Sequence, residues 1–357
     1  MRVLYFGTYE RDYPRNAQVI AALRRAGVEV TERHAGVWEG SRQNWSAGPA
    51  VAARLALAEI RLLRRPREDF DAVLVGYPGH FDLPAARRAA RCRPVVFNPL
   101  VSLSDTLVTD RGRFRAGSLP ARALVKIDRH ALRTADLVVA DTQANAEHLA
   151  ELAGLAPERI EVCFVGAEER LFKPGWAPEE PFTALFVGKL IPLHGLETLL
   201  AAARATPDLR FRIVGSGQLE RLVRERSENV EWVPWVEYAR LPAELSRAGC
   251  ALGIFGTSDK AQRVIPNKAF QALACGTPLV TADTRAAREL LVHDESALLV
   301  PPGDPEALAG ALRALQADPE LARRLGAGGR AAYEAEASEQ VLGARWRTLL
   351  ERTVPDA

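Results

Sequence analysis

Short apolar runs alternate with helix-period stretches along almost the whole chain, and that alternation admits few folds. VLYF (3–6) precedes a helical pattern from Asn16 to Ala26, and VEVTE (28–32) precedes one from Pro49 to Arg65. AVLVG (72–76), PVVFN (94–98), DLVVAD (136–141) and IEVCFVG (160–166) continue the series. The runs are apolar at successive positions, as in strands covered on both faces. Strands joined by helical crossovers make a parallel, doubly wound α/β sheet. KPGWAPEEP (173–181) interrupts the pattern, and a stretch so rich in Pro reads as a linker. The alternation restarts with TALFVG (183–188), FRIVG (211–215), VEWVP (230–234), ALGIF (251–255), PLVTA (278–282) and ALLVP (297–301). Helical patterns separate them, among them 217–226 and 284–291, and others close the chain at 319–332 and 338–352. The expectation is two doubly wound, Rossmann-like domains facing a central cleft. They span residues 1–172 and 183–335, with 173–182 as linker and 336–357 as a final helix.

A length of 357 residues suits two domains of roughly 100–200 residues each. Hydrophobic residues at 48% and charged residues at 26% are ordinary globular usage, which excludes disorder and fibre. The net charge of +2 divides unevenly: residues 1–150 carry +7 and residues 151–357 carry −5. The first half therefore suits an anionic ligand or surface, while the excess falls short of a nucleic-acid footprint, so no nucleic acid is expected. Cys92, Cys163, Cys250 and Cys275 form no C-x-x-C pair and read as thiols in a reducing compartment. No run approaches the roughly 18 apolar residues of a membrane span. MRVLYFG enters a strand at once, which predicts no leader, so the Asn44-Trp45-Ser46 sequon carries no weight. A soluble, cytoplasmic protein is expected.

Three stretches in the second half carry chemistry. In Gly188-Lys189-Leu190-Ile191-Pro192-Leu193-His194-Gly195, a strand ends at a Gly, a cation follows, and a second potential cation stands where a helix begins. Helix N-termini favour anions through free N–H groups and the dipole, so Lys189 and His194 suit a diphosphate; a solvated Lys and a capping His fit the same residues. Gly215-Ser216-Gly217 again joins strand to helix and lets backbone approach a ligand, although a G-x-G without a third Gly equally makes a plain turn. In Arg263-Val264-Ile265-Pro266-Asn267-Lys268-Ala269-Phe270-Gln271, Pro266 precedes a helix whose first turn bears Lys268, with Gln271 nearly on the same face. That face suits phosphate and ribose hydroxyls, or simply a capped core helix. There is no H-E-x-x-H and no Cys/His cluster, so no metal is expected.

Together with Ala274-Cys275-Gly276-Thr277-Pro278-Leu279-Val280 and Leu298-Leu299-Val300-Pro301-Pro302-Gly303-Asp304-Pro305, these motifs resemble the donor half of the family-4 retaining glycosyltransferases of GT-B architecture. The resemblance covers about residues 183–316. It implies that Lys189 takes the place of the family's phosphate-binding Arg and His194 that of its Lys, both neutralising a departing nucleoside diphosphate. The family's paired glutamates are replaced: Gln271 stands at the ribose position and Arg263 at the donor-sugar position. Gln still bonds a ribose diol by donor and acceptor, whereas Arg263 accepts no sugar hydroxyl and adds charge near the diphosphate, as does Lys268. Gly188, Gly215, Gly217, Pro266 and Asn267 complete the donor site, and Trp235 borders the base. The final helix is implied to cross back to the first domain.

In the first half the resemblance is looser. Loops following strands carry Gly7, Thr8 and Arg15 (with Arg11, Asp12 and Tyr13 between them), then His80 and Asp82, then Asn98 and Asp105. They are candidates for gripping the sugar or the acceptor; a structural loop His and turn-capping Asp residues are the alternatives. Arg54, Arg61, Arg64, Arg65 and Arg67 share a helix with Leu55, Leu57, Ile60, Leu62 and Leu63. Such a helix suits an anionic membrane face, which would put the protein at the inner face of the membrane; a solvated helix packed on its own sheet is the plainer reading. The expected activity is retaining transfer of a sugar from a nucleotide-sugar, used as substrate with no further cofactor, to an acceptor hydroxyl that the sequence does not name. A nucleotide-sugar 2-epimerase of the same architecture and a non-catalytic scaffold that has lost the paired glutamates are the rivals.

Overall fold

A computed structural model describes residues 1–11, 13–38, 49–64 and 66–354. The sequon, Asp12 and Arg65 lie outside the described residues. Two compact units appear, Met1–Val165 with the chain from Glu339 onward, and Gly166–Ser338.

The first unit holds β1 (Arg2–Gly7), α1 (Pro14–Arg25), β2 (Glu29–His34), α2 (Pro49–Leu62), β3 (Ala72–Val75), α3 (Leu83–Ala90), β4 (Val95–Phe97), α4 (Leu119–Thr134), β5 (Leu137–Ala140), α5 (Gln143–Ala153) and β6 (Ile160–Val162). The strands lie in the order β2-β1-β3-β4-β5-β6, and every pairing is parallel. β3, β4 and β5 are buried at every position, the mark of a sheet covered on both faces. Local chemistry starts the helices: Ser118 Oγ accepts from Ala121 N ahead of α4, and Thr142 Oγ1 accepts from Asn145 N ahead of α5, each taking one of the N–H groups a first turn leaves free. A π-helical turn, Asp105–Asp110, follows β4 and was not legible in the sequence pattern.

The second unit holds β7 (Thr183–Val187), α6 (Leu196–Ala205), β8 (Arg210–Val214), α7 (Glu220–Arg224), β9 (Val230–Val233), α8 (Leu241–Arg247), β10 (Cys250–Leu252), α9 (Asn267–Cys275), β11 (Leu279–Ala282), β12 (Leu298–Val300), α10 (Pro305–Ala317) and α11 (Pro319–Glu336). Its parallel sheet runs β12-β11-β10-β7-β8-β9. Asp304 and Asp318, each followed by Pro, cap α10 and α11 through their carboxylates. The helix expected over 284–291 shrinks to a short 3-10 turn, Ala287–Glu289, opened by Thr284 Oγ1 accepting from Ala287 N.

The stretch 173–181 is no free linker. Gly175 N, Ala177 N and Glu179 N donate to Cys275 O, Ser246 O and Arg247 O at 3.2, 2.9 and 2.9 Å, and Trp176 Nε1 donates to Ala248 O at 2.8 Å. Its prolines end regular structure without detaching the chain from the second unit, so that unit begins at Gly166, earlier than the expected boundary after residue 172. The last helix, α12 (Glu339–Thr353), packs on α1 in the first unit. Gly343 permits the approach: a Cβ there would lie 2.4 Å from Ala22 O.

On α2 and the turn that follows it, Ala58 and Leu62 turn inward while Leu57, Ile60 and Leu63 are exposed beside Arg54, Arg61 and Arg64. No described helix is long and apolar enough to cross a membrane.

Candidate functional site

Strand order locates the site in the second unit. The chain steps outward from β7 to β8 and β9, then returns to β10 on the other side of β7. Open α/β sheets bind ligands at such a reversal, beyond the carboxyl ends of the strands. The loop after β7 begins with Gly188, and the loop after β10 begins with Gly253. Into this crevice α9 projects Lys268, whose Nζ lies 3.4 Å from Gly253 O and 3.6 Å from the centre of the Phe186 ring.

The glycines shape the floor. Gly188 has φ +153°, and a Cβ on it would lie 2.9 Å from Lys268 Nζ and 3.3 Å from His194 Cε1, so its bare Cα is what lets the two side chains meet there. Gly215, with φ +143°, backs directly onto Gly188: a Cβ would stand 1.9 Å from Gly188 O. Gly217 packs in the same way against the Leu190 backbone. Gly188, Gly215 and Gly217, flagged from separate motifs, thus form one surface.

The electrostatics correct one expectation. His194 is buried, edge-on to Phe186, with Nδ1 2.5 Å from Lys189 O. Burial, and next the charge of Lys268, hold its imidazole well below the usual pKa, with Lys260 and Lys189 pushing the same way. The ring is therefore neutral near pH 7, and its Nδ1–H donates to the carbonyl, which leaves Nε2 as an acceptor. His194 does not supply the expected second cation. The buried basic group at the floor is Lys268, whose own pKa burial depresses strongly. Lys189 stands exposed at the rim. Lys260, buried at the start of a 3-10 turn, was missed by sequence reasoning, because only the β7–β10 adjacency brings its loop to His194.

Gln271, one turn along α9, donates Nε2 to Tyr238 Oη at 3.3 Å, which leaves its carbonyl oxygen to accept. Tyr238 packs edge-on to Phe172 at 5.6 Å, and burial pushes its phenol up to about 12. Tyr238 was also missed, since it occupies no recognisable motif. Pro266 precedes α9 without a side-chain cap, so the first-turn N–H groups of Asn267 and Lys268 keep no intrahelical partner. Arg263 is half-buried, in the 3-10 turn before α9. Trp235, just past β9, is 55% exposed.

In the first unit several candidates turn out to be structural. Arg15 is fully buried: Nε donates to Asn98 Oδ1 at 2.9 Å, Nη1 to Cys163 O and Phe164 O at 2.9 and 2.7 Å, and its guanidinium lies 5.6 Å from the Trp346 ring. Arg15 and Asn98 therefore tie α1, the end of β4, the segment after β6 and α12 together, while Arg15 Nη2 and Asn98 Nδ2 stay buried without a hydrogen-bond partner. Asp82 is also buried and spends both oxygens on Thr8, accepting from its N at 2.7 Å and its Oγ1 at 2.9 Å. It fixes the loop after β1, and a Cβ on Gly7 would lie 2.1 Å from Asp82 Oδ2. His80 is buried edge-on to Phe97, with Nδ1 bonded to Pro78 O and Nε2 3.5 Å from Asp128 Oδ1. Burial lowers its pKa. Asp105 opens the π-helical turn, half-buried, its N donating to Ser102 Oγ.

Comparison with known proteins fits this geometry. Residues 167–332 match the family described as glycosyl transferases group 1. It is this domain, just under half of the chain, that is similar to the group 1 glycosyl transferases. A D-inositol 3-phosphate glycosyltransferase from Segniliparus rotundus is 30% identical over 54% of this chain and 47% of its own. One from a Nocardioides species is 28% identical over 85% and 71%. The chain spans about half the length of the first of these relatives. Among solved structures, sucrose-phosphate synthase from Thermosynechococcus elongatus superposes with a TM-score of 0.76, at 18% identity and 98% coverage of both chains. Anabaena HepE in complex with UDP-glucose gives 0.71, at 17% identity, covering 99% of this chain and all of its own. The fold is GT-B-like, and the group 1 match falls on the unit that holds Lys189, His194 and Lys268.

Proposed function

We propose that the chain transfers a sugar from a nucleoside diphosphate donor to an acceptor hydroxyl, with retention at the anomeric carbon. The observation that carries this reading is the convergence of Gly188, His194 and Lys268 at the β7–β10 reversal, with the start of α9 beside it. When a glycosyl–phosphate bond breaks, negative charge develops on the diphosphate. Lys268, Lys189 and the first-turn N–H groups of α9 are the groups that would meet it. In this reading the flat floor of Gly188, Gly215 and Gly217 lets the phosphates sit close to backbone, and Gln271 accepts from a ribose hydroxyl. His194 contributes Nε2 as an acceptor toward the sugar or a bound water, and Trp235 borders the base. HepE was solved with UDP-glucose, which makes UDP the first nucleotide to try.

A thermal-shift panel of UDP, GDP, ADP, CDP and TDP on the wild type and on Lys189→Ala tests it. A ligand at 100 times its dissociation constant adds about 2.7 kcal/mol to the native state. A shift with one diphosphate, reduced in the variant, supports the reading. No shift with any of them overturns it in favour of a non-catalytic protein, and nucleotide-sugar isomerisation without an acceptor would favour the epimerase.

Peripheral membrane contact through α2 is part of the same proposal. Leu57, Ile60 and Leu63 stand exposed beside Arg54, Arg61 and Arg64, the pairing of apolar and basic groups that binds anionic bilayers. Co-flotation with phosphatidylserine vesicles but not with phosphatidylcholine vesicles is the expected result; no flotation with either removes it.

A further inference from the structure

The first unit holds a cavity of about 190 Å³ that donor chemistry does not use, bounded by Trp38, His80, Phe81, Leu103, Leu107 and Phe114 among others. It sits past the carboxyl ends of β1, β3 and β4, and β1 and β3 flank the reversal of strand order in this sheet. That is where an open α/β sheet takes a ligand.

Its walls offer little to a polyol. Two nearby carboxylates are already committed: Asp82 accepts from Thr8 N and Oγ1. Asp128 accepts from Leu103 N, Ser104 N and Ser104 Oγ at 2.8, 2.8 and 2.6 Å. The Thr8 hydroxyl proton is spent on Asp82. A sugar or inositol ring buried here would leave hydroxyls without partners, which an apolar wall penalises. Among the described lining residues Arg113 is the one with a full charge; it is exposed at the mouth, its guanidinium 5.9 Å from the Phe114 ring. Deeper in, Trp38 Nε1 is buried and makes no hydrogen bond, while His80, only 3% exposed, has its Nε2 3.5 Å from Asp128 Oδ1. The indole N–H suits one polar atom on an otherwise apolar guest. A dry cavity of about 150 Å³ takes up benzene, so this one has room for a six-membered ring with a short substituent.

We propose that this cavity seats an apolar, ring-sized group of the acceptor, making the acceptor an aryl or cyclic-alkyl alcohol instead of a free polyol. The inference rests on the glycosyltransferase reading and narrows its substrate class. In the transfer, the acceptor oxygen forms the bond to the anomeric carbon, and the anomeric carbon–phosphate oxygen bond breaks. The nucleoside diphosphate leaves with that electron pair, and the acceptor's proton passes to the departing phosphate or to solvent.

The test is a ligand-observed NMR titration of the full chain with benzyl alcohol and 1-phenylethanol against glucose and myo-inositol, with UDP affinity measured on the same preparations. Leu107→Arg places a guanidinium in the cavity. Phe81→Ser, at a position already 39% exposed, serves as the second variant should the first not fold. The expected result is that the aryl alcohols bind the wild type better than the polyols do. Their affinity should fall at least tenfold in Leu107→Arg and severalfold in Phe81→Ser, with UDP affinity unchanged. Polyols binding as well as aryl alcohols, or aryl binding indifferent to both substitutions, overturns the inference while leaving the donor site standing. If aryl alcohols bind and respond to the substitutions but UDP does not bind, the glycosyltransferase reading fails and takes the acceptor role of the cavity with it.

Discussion

Replacing Lys268 with Met separates what this ammonium costs the fold from what it does for a ligand. The side chain is buried, its stem lies against Phe186, and burial pushes its pKa well below the ordinary value. Met keeps the apolar stem and removes the charge. Exchanging buried charge for well-packed apolar groups stabilises by about 1–4 kcal/mol where it has been tried. A gain of about 2 kcal/mol would raise the Tm of a unit this size by roughly 4–8 °C. The pH dependence has a definite sign. Between the depressed folded pKa and 10.5 the unfolded chain binds the proton that the folded chain lacks, so stability rises with pH through that window. The variant should lack that slope. Binding should move the other way, because a charge-assisted hydrogen bond is worth about 1.5–3 kcal/mol, and at 1.4 kcal/mol per decade its loss weakens diphosphate binding roughly 10- to 150-fold. Urea melts at pH 7 and 9, with UDP titrations on the same samples, read both effects. A variant less stable than the wild type at pH 7, or one that binds UDP equally well, refutes the argument.

Gly215→Ala would put a Cβ 1.9 Å from Gly188 O at a φ of +143°; backbone strain of about 3 kcal/mol should lower Tm by roughly 6–12 °C, read by calorimetry. Asp82→Ala leaves the buried Thr8 N–H without its acceptor, which should cost about 1–3 kcal/mol in denaturant unfolding. Glu59 is raised by burial and by its contact with Asp82. The folded state therefore holds a proton that the unfolded state releases above the ordinary carboxylate range, and stability falls as pH rises above about 4.5 toward the raised folded pKa. Glu59→Gln, which resembles the protonated form, should flatten that fall in melts taken from pH 5 to 9.

The legible part of this protein was the part written in local pattern. Runs such as VLYF and AVLVG are apolar at successive positions because both faces of each strand are covered, and Ser118, Thr142, Asp304 and Asp318 mark helix starts by chemistry that acts within a few residues. The donor motifs were legible for the same reason, as strand–Gly–helix junctions carrying Lys189, His194, Lys268 and Gln271. What those residues do there depends on distances across the sheet. The sequence presented His194 as a cation beside Lys189; the tertiary structure buries it next to Lys268 and makes it neutral. It presented Arg15, Asn98 and Asp82 as groups free to hold a substrate, since loop and helix-start polar residues look alike until their partners are known. The structure ties all three to backbone and side chains as many as 149 positions away, and leaves only Arg15 Nη2 and Asn98 Nδ2 of their bonding groups without a partner. Lys260 and Tyr238 belong to no motif and enter the site only because β10 returns beside β7 and α9 faces the turn after β9. The sequence by itself determined two parallel α/β sheets and the strand–Gly–helix junctions of the second. Only the tertiary structure decided which polar groups keep their charge and their free valences, because desolvation and hydrogen bonding are set by neighbours in space that the order of residues along the chain does not reveal.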